Sequence, residues 1–298
     1  ESYGFTRQDW FEPVGRECRN LRNNVGVVDV SNFGKYEIKG TGAYDWIDRV
    51  IANYVPRQVG QSCLTPMLGV RGGIAGDFTV TKLDEDHFFM IGTGIGERYH
   101  QRYFQMVELP GGTTFETVTD DYCGFNVAGP KSRELLARLT QEDLSNESWK
   151  FMQSRKFTIA GIEAIGIRVS FTGDLGWEIY VAETDQVKLW EALFETGKDL
   201  GVMPVGGRSL ASLRIEKGYG SWSREYSPEY WPQEVGFERL IKIDKPDFLG
   251  KEAYLAVADK APREKLVCLT IETDNADSSG GEPIFLADGT PVGRVSSG

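Results

Sequence analysis

Apolar positions recur along this chain in two rhythms, and the switch from one to the other marks out its elements. Residues 7–24 carry Trp10, Phe11, Val14 and Leu21 among interleaved charges, which predicts an amphipathic helix. Residues 25–30 then read as a short strand, 35–39 as a second, and 41–50 as a helix with Tyr44, Ile47 and Val50 on one stripe. This opening alternation points to an α/β chain of mixed α+β character.

After a loop over 56–62 and an apolar run over 63–68 comes the most informative stretch, Arg71-Gly72-Gly73-Ile74-Ala75-Gly76-Asp77-Phe78-Thr79-Val80-Thr81. From Asp77 onward it has period two, which puts Asp77, Thr79 and Thr81 on one strand face and Phe78 and Val80 on the other. Asp77 is thereby a polar-face residue beside a glycine-loosened turn. Residues 83–86 break the pattern, and the almost wholly apolar 87–91 predicts a buried partner strand in a hairpin. Gly92-Thr93-Gly94-Ile95-Gly96 has the look of a phosphate loop but lacks an acidic partner about 20 residues on. Its plainer reading is the start of the helix that follows over 97–107.

Strands are expected at 114–117 and 122–127, and a helix over 131–139 opens beside Gly129-Pro130. The polar connection 140–153 reads as a seam between subdomains. Strands at 157–159 and 162–171 flank the turn Ala160-Gly161. A second turn, Thr172-Gly173-Asp174-Leu175-Gly176, leads into a strand over 177–181 with Trp177, Ile179 and Val181 on one face and Glu178 and Tyr180 on the other. A helix over 184–199 presents Val187, Trp190, Leu193 and Phe194, and another over 208–217 ends at Gly218. Residues 219–236, rich in Trp, Tyr, Glu and Pro and without a period, read as a long packed loop, a kind of segment that is commonly functional. A short helix is expected over 248–258. Beyond 265 the pattern is strands alone, at 267–271, 282–285 and 291–295, as in an all-β unit that stops abruptly.

The 298 residues exceed what one hydrophobic core usually organises, and they divide here into a unit over 1–258, with the seam inside it, and the start of a β unit over 259–298. A hydrophobic content of 40% is that of a folded soluble chain. The net charge of −11 argues against nucleic-acid and anionic-lipid partners, both of which need a positive field. Cys18, Cys63, Cys123 and Cys268 form no Cys-x-x-Cys pair and have only His87 and His100 as histidine companions, so no metal site is indicated and reduced thiols are expected. Without a long apolar run or a signal-like start, the expected setting is cytoplasmic, or the mitochondrial matrix in a eukaryote. The chain opens on Glu1 and closes on Ser296-Ser297-Gly298, which reads as a piece of something longer.

What could carry chemistry is a pair of carboxylates at strand starts and one arginine. Asp77 is either a surface carboxylate capping a turn or a functional group. Glu178 either pairs with a lysine on an exposed face or accepts from a ligand with two adjacent N–H donors, such as an aminopyrimidinone. Arg208 opens a helix, where the dipole disfavours a cation unless an anionic or carbonyl group lies nearby.

Three ordered segments then carry a resemblance. Thr65-Pro66-Met67-Leu68 with Gly72-Gly73-Ile74-Ala75-Gly76-Asp77, Phe171-Thr172-Gly173-Asp174-Leu175-Gly176-Trp177-Glu178-Ile179, and Gly207-Arg208-Ser209-Leu210-Ala211-Ser212-Leu213-Arg214-Ile215-Glu216-Lys217-Gly218 are similar to motifs of the glycine-cleavage T-protein, or aminomethyltransferase, family. Phe11-Glu12-Pro13-Val14-Gly15-Arg16-Glu17-Cys18-Arg19, Glu216-Lys217-Gly218-Tyr219-Gly220-Ser221-Trp222, and Ser227-Pro228-Glu229 with Asp247-Phe248-Leu249-Gly250-Lys251 resemble more particularly the folate-binding region of dimethylglycine and sarcosine dehydrogenases. The resemblance implies a folate-binding fold of βα subdomains around a central pocket, followed by an incomplete C-terminal β-barrel. It also implies tetrahydrofolate as cofactor, a methylated amine as donor and a flavoprotein domain or subunit as partner. By that resemblance Asp77 is the catalytic carboxylate, Glu178 and Arg208 hold the pterin, and Met67 and Phe171 line its pocket. Arg239 stands where the family has an aromatic, and a guanidinium also stacks. Gly76 replaces the first residue of the family's Asp-Asp. The implied reaction yields methylenetetrahydrofolate and a demethylated amine. The alternatives are S- or O-demethylation to methyltetrahydrofolate, or folate binding without catalysis.

Overall fold

The computed structural model describes residues 6–298. Helix α1 (Phe11–Asn23) leads into β1 (Val25–Asp29) and β2 (Gly34–Lys39), followed by α2 (Ala43–Val50). The glycine-rich stretch lies between β3 (Ser62–Leu68) and β4 (Ile74–Asp84), and β4 turns into β5 (His87–Gly92). The second half of the Gly92–Gly96 run is a 3-10 turn entering α3 (Glu97–Phe104), not a phosphate cradle. Then come β6 (Thr114–Thr117), β7 (Tyr122–Ala128), α4 (Ser132–Ala137), β8 (Ser154–Ile159), β9 (Ile162–Ile167) and β10 (Gly176–Ala182). Helix α5 (Gln186–Thr196), β11 (Val202–Val205), α6 (Gly207–Ile215), α7 (Lys251–Ala258), β12 (Pro283–Phe285) and β13 (Pro291–Arg294) complete the order.

Two sheets organise these elements. The five-stranded sheet runs β3-β4-β5-β2-β6 and is antiparallel throughout, with the expected β4–β5 hairpin in it. The six-stranded sheet runs β11-β1-β7-β10-β9-β8, and its β1–β11 pair is parallel. Strand–helix alternation at the N-terminus therefore does not translate into a parallel sheet, because most neighbours are joined as hairpins or meanders.

Alternation of side chains sorts the apolar residues into layers. Phe78, Val80, Phe88 and Met90 face outward from the five-stranded sheet onto Trp46, Ile47 and Val50 of α2 and Phe104 of α3. Trp177, Ile179 and Val181 face outward from the six-stranded sheet onto Leu135 and Leu136 of α4 and Leu189 and Leu193 of α5. Between the sheets lie Leu83, Phe89 and Ile91 from one and Val28, Ile165, Ile167 and Tyr180 from the other. The molecule is thus layered helix, sheet, sheet, helix. At one end the edges of the sheets meet, where Gln61 bridges Gln153, Ser62 N–H donates to Met152 O (2.9 Å) and Ser154 N–H to Gly60 O (2.8 Å).

Residues 140–153 connect α4 to β8, and Leu144 and Trp149 from this stretch sit in the outer core of the six-stranded sheet. Two expectations are corrected. Val187 is 65% exposed, because α5 turns Leu189 and Leu193 inward instead. Residues 267–271 form no strand: Val267, Leu269 and Ile271 are 59%, 56% and 51% exposed, and among the described residues no strand pairs with their backbone. In the C-terminal β unit the described strands are the two of the β12–β13 hairpin. Among the described residues no helix is long and apolar enough to cross a membrane.

Candidate functional site

Asp77 owes its position to the register of β4. Thr79 pairs with Ile91 and Thr81 with Phe89, so the Asp77 face of the strand is the one turned toward the other sheet. The polar face expected from the sequence is therefore an interior face. Asp77 is half-buried, and among the described residues it makes no ion pair and no bond to another side chain. Burial pushes its carboxyl up to about 6, against a small opposing effect of its own backbone N–H. Met67 pairs with Gly76, one position out of phase with Asp77, and is fully buried in the outer core of the five-stranded sheet. The implied pocket-lining role of Met67 is not matched by any surface it presents.

The glycines ahead of Asp77 serve the chain itself. Gly72 has φ +77°, and a Cβ on Gly73 would lie 2.1 Å from the carbonyl oxygen of Pro228. The turn is thereby packed against the 219–236 loop, so these glycines admit a close backbone neighbour.

Glu178 comes from the facing sheet. Val28, Asn126, Glu178, Ile167 and Ser154 are cross-strand neighbours, so Glu178 lies in one row of inward positions across the six-stranded sheet. It is 6% exposed and accepts one hydrogen bond, from Tyr180 Oη to Oε2 at 2.8 Å. Burial pushes it up to about 7, and the Tyr180 bond partly offsets this. Among the described residues Glu178 has no lysine partner, and the one hydrogen bond that acts on Asp77 comes from its own backbone N–H.

The loop after β9 is tied to the same row. Asn126 Nδ2 donates to Val169 O (3.3 Å) and Ser170 Oγ donates to Asn126 Oδ1 (3.0 Å), which places Phe171 next in line. Its ring lies nearly parallel to Tyr219, centroids 6.2 Å apart. Arg22 reaches into the same turn, donating to Thr172 O (3.0 Å) and pairing with Asp174, and on α6 it reaches Leu213 O (3.2 Å) and Glu216 (2.7 Å).

The two arginines lie farther out. Arg208 is exposed at the start of α6, its guanidinium 3.7 Å from the Trp10 ring centroid. The anionic group that this helix start calls for is supplied internally by Glu17, whose Oε2 accepts from Gly206 N–H (2.8 Å) and Ser209 Oγ (2.6 Å). Arg239 is exposed on a 3-10 turn that packs against β3. Its charge and that of Asp77 act in opposite directions on Tyr226, which places all three in one neighbourhood.

Sequence reasoning missed Tyr226, Trp222 and His100. His100 is fully buried between Phe78 (4.8 Å) and Trp222 (5.0 Å), neither ring nitrogen has a partner, and burial lowers it to about 4. A Cβ on Gly76 would lie 3.0 Å from His100 Nε2, so Gly76 leaves the imidazole its place. The aperiodic aromatic loop 219–236 was the available signal for Trp222 and Tyr226, and nothing in the helix pattern singled out His100. Two open clefts of about 460 and 910 Å³ lie where β3 and β8 meet, and neither is lined by Asp77 or Glu178. The two carboxylates, each with spare acceptor capacity, instead face the inter-sheet layer from opposite sheets, and burial raises both toward neutrality. Each can accept from N–H donors of a flat polar ring and hold a proton.

The chain is similar to known proteins over nearly its whole length. The model of the GCVT N-terminal domain matches residues 1–245. The chain is 38% identical over 298 residues to mitochondrial dimethylglycine dehydrogenase of Mus musculus, covering 99% of this chain and 34% of that enzyme, about a third of its length. It is 31% identical over 289 residues to an aminomethyltransferase of Thermoanaerobacter sp. (strain X514), covering 97% of this chain and 78% of that one. Among solved structures, glycine cleavage system aminomethyltransferase T from Bartonella henselae superimposes with a TM-score of 0.82 at 22% identity, covering 96% and 77% of the two chains, which shows a shared fold.

Proposed function

Because this chain belongs to the aminomethyltransferase family built on the GCVT domain, we propose that it is a tetrahydrofolate-dependent one-carbon transferase acting on an N-methylated or aminomethylated amine. The observation that carries this reading is the pair Asp77 and Glu178, desolvated, without an ion pair among the described residues and turned inward from opposite sheets. A reduced pterin suits them, being flat and edged with adjacent N–H donors, and Glu178 keeps one oxygen uncommitted to accept one. When bound, tetrahydrofolate supplies the nucleophilic nitrogen that takes a one-carbon unit at the formaldehyde level, giving methylenetetrahydrofolate and a demethylated amine.

The side chains orient and balance charge rather than form covalent bonds. Glu178 holds the donor edge of the ring, and Phe171 with Tyr219 offers aromatic surface to its flat side. Asp77 holds or returns a proton at its carboxylate and offsets positive charge that develops on the donor nitrogen. Arg208 and Arg239 are the cations proposed to help retain the ring from the rim. Oxidation of the amine is assigned to a flavoprotein domain or partner subunit, in keeping with relatives of which this chain spans about a third.

Titration of tetrahydrofolate against the protein and its Asp77→Asn and Glu178→Ala variants tests the reading. Binding without turnover in Asp77→Asn, and loss of binding in Glu178→Ala, is the expected outcome. Absence of binding to the unaltered protein sinks the folate reading, full turnover by Asp77→Asn sinks the catalytic role, and methyltetrahydrofolate as product replaces the donor class.

A further inference from the structure

We propose that Tyr180 is a positioning residue for Glu178, claiming one carboxylate oxygen so that the other is presented to the ligand's N–H donors. The two residues are neighbours on the inward face of β10, two positions apart, and Tyr180 Oη donates to Glu178 Oε2 at 2.8 Å. A carboxylate held by one oxygen no longer rotates freely, so the direction of its other lone pairs is set before a ligand arrives.

The tyrosine is itself held. Opposite it on β7 is Gly124, where a Cβ would lie 2.6 Å from the Tyr180 ring, so a glycine there is what lets the ring lie against the sheet. From the five-stranded sheet Phe89 meets the ring edge-on, centroids 5.6 Å apart at 67°. Tyr180 is fully buried between them, which fixes where its hydroxyl points. No other side chain among the described residues bonds to Glu178.

The surroundings make this one bond decisive. From β7 the neighbour of Glu178 is Asn126, and from β9 it is Ile167. The loop after β9 contributes Ser170 and Thr172, already bonded to Asn126 and to each other. The facing sheet turns Asp77, Lys35 and the Glu37–His87 pair inward, yet the influences acting on Glu178 are burial and Tyr180. A donated hydrogen bond favours the charged carboxylate, whereas burial alone favours the neutral acid, which has only one acceptor oxygen of full strength. Removing the hydroxyl thus weakens ligand capture in a pH-dependent way.

The identity of the ligand rests on the function proposed above, and the experiment separates the two. Tyr180→Phe and the unaltered protein are compared in tetrahydrofolate affinity from about pH 5.5 to pH 9, and in the titration of carbon-13-labelled Glu178 without ligand, using Glu178→Gln to assign the signal. In Tyr180→Phe the Glu178 midpoint should rise by about one pH unit or more, since the charged carboxylate loses the hydrogen bond that favours it. Affinity at pH 7 should fall about tenfold and recover toward pH 9. An unchanged midpoint, or an equal loss of affinity at every pH, overturns the proposal and leaves Tyr180 a packing residue. If the unaltered protein binds no tetrahydrofolate, the ligand assignment fails while the Glu178 titration still decides the role of Tyr180.

Discussion

At the residue scale, Asp77 and Glu178 oppose the stability of the free protein. Each is held protonated to a higher pH in the fold, about 6 and about 7, than its ordinary values of 3.8 and 4.5. The folded state therefore binds more protons than the unfolded chain across those windows, and stability falls as pH rises through them. For Asp77 the cost above pH 6 is about 3 kcal/mol, from roughly two pH units at 1.36 kcal/mol each. Asp77→Asn should melt higher than the unaltered protein at pH 8, Glu178→Gln likewise, and both advantages should vanish near pH 4. Equal melting temperatures at pH 8, read by calorimetry, would remove the claim that these groups are desolvated in the free protein. What the sequence could show of this was limited to alternation. Period two separated Asp77 from Phe78 and Glu178 from Trp177 correctly, but both outcomes of burial, solvent face or second sheet, have the same pattern. His100 illustrates the opposite failure, since a buried unpartnered imidazole leaves no trace in local periodicity.

At the scale of elements, local patterns located helices and strands well wherever each buries one face. The hairpin of β4 and β5 was legible because the apolar run over 87–91 needs cover on both faces, and it is covered by α2 and α3 outside and by the other sheet inside. The C-terminal run 267–271 was misread for the converse reason: its alternation is real, yet a strand requires a partner, and among the described residues none is adjacent. In the turn before β4 the glycines tell of close approach without telling of what. Its neighbour is the Pro228 carbonyl, and Tyr230 O accepts from Ile74 N–H at 3.2 Å in the same contact. Gly73→Ala should therefore push the 219–236 loop away from β4 and destabilise the fold by roughly 1–3 kcal/mol, the usual cost of overpacking. Denaturant unfolding measures that loss, and Trp222 and Trp231 fluorescence should report the displaced loop. A variant as stable as its parent with unaltered fluorescence would show that the turn and the loop do not constrain each other.

At the scale of the whole molecule, the two carboxylates belong to different sheets, and that separates a ligand held by both from one held by either. A ring captured between Asp77 and Glu178 couples the turn ahead of β4 to the loop ahead of β10, although these segments are about 100 residues apart in the chain. Tetrahydrofolate should therefore slow amide exchange in residues 71–77 and 169–176 together, with little change in the β12–β13 hairpin. The same coupling makes its stabilising effect pH-dependent. Below about pH 6 both groups are neutral in the free protein and accept weakly, whereas above pH 7 each is a charged acceptor whose burial the ligand's donors compensate. The rise in melting temperature at saturating tetrahydrofolate should be larger at pH 8 than at pH 5.5, and Glu178→Gln should flatten much of that difference. Protection confined to one sheet, or a thermal shift independent of pH, would mean that the ligand is not held between the two carboxylates, and the site would have to be sought elsewhere on the same fold.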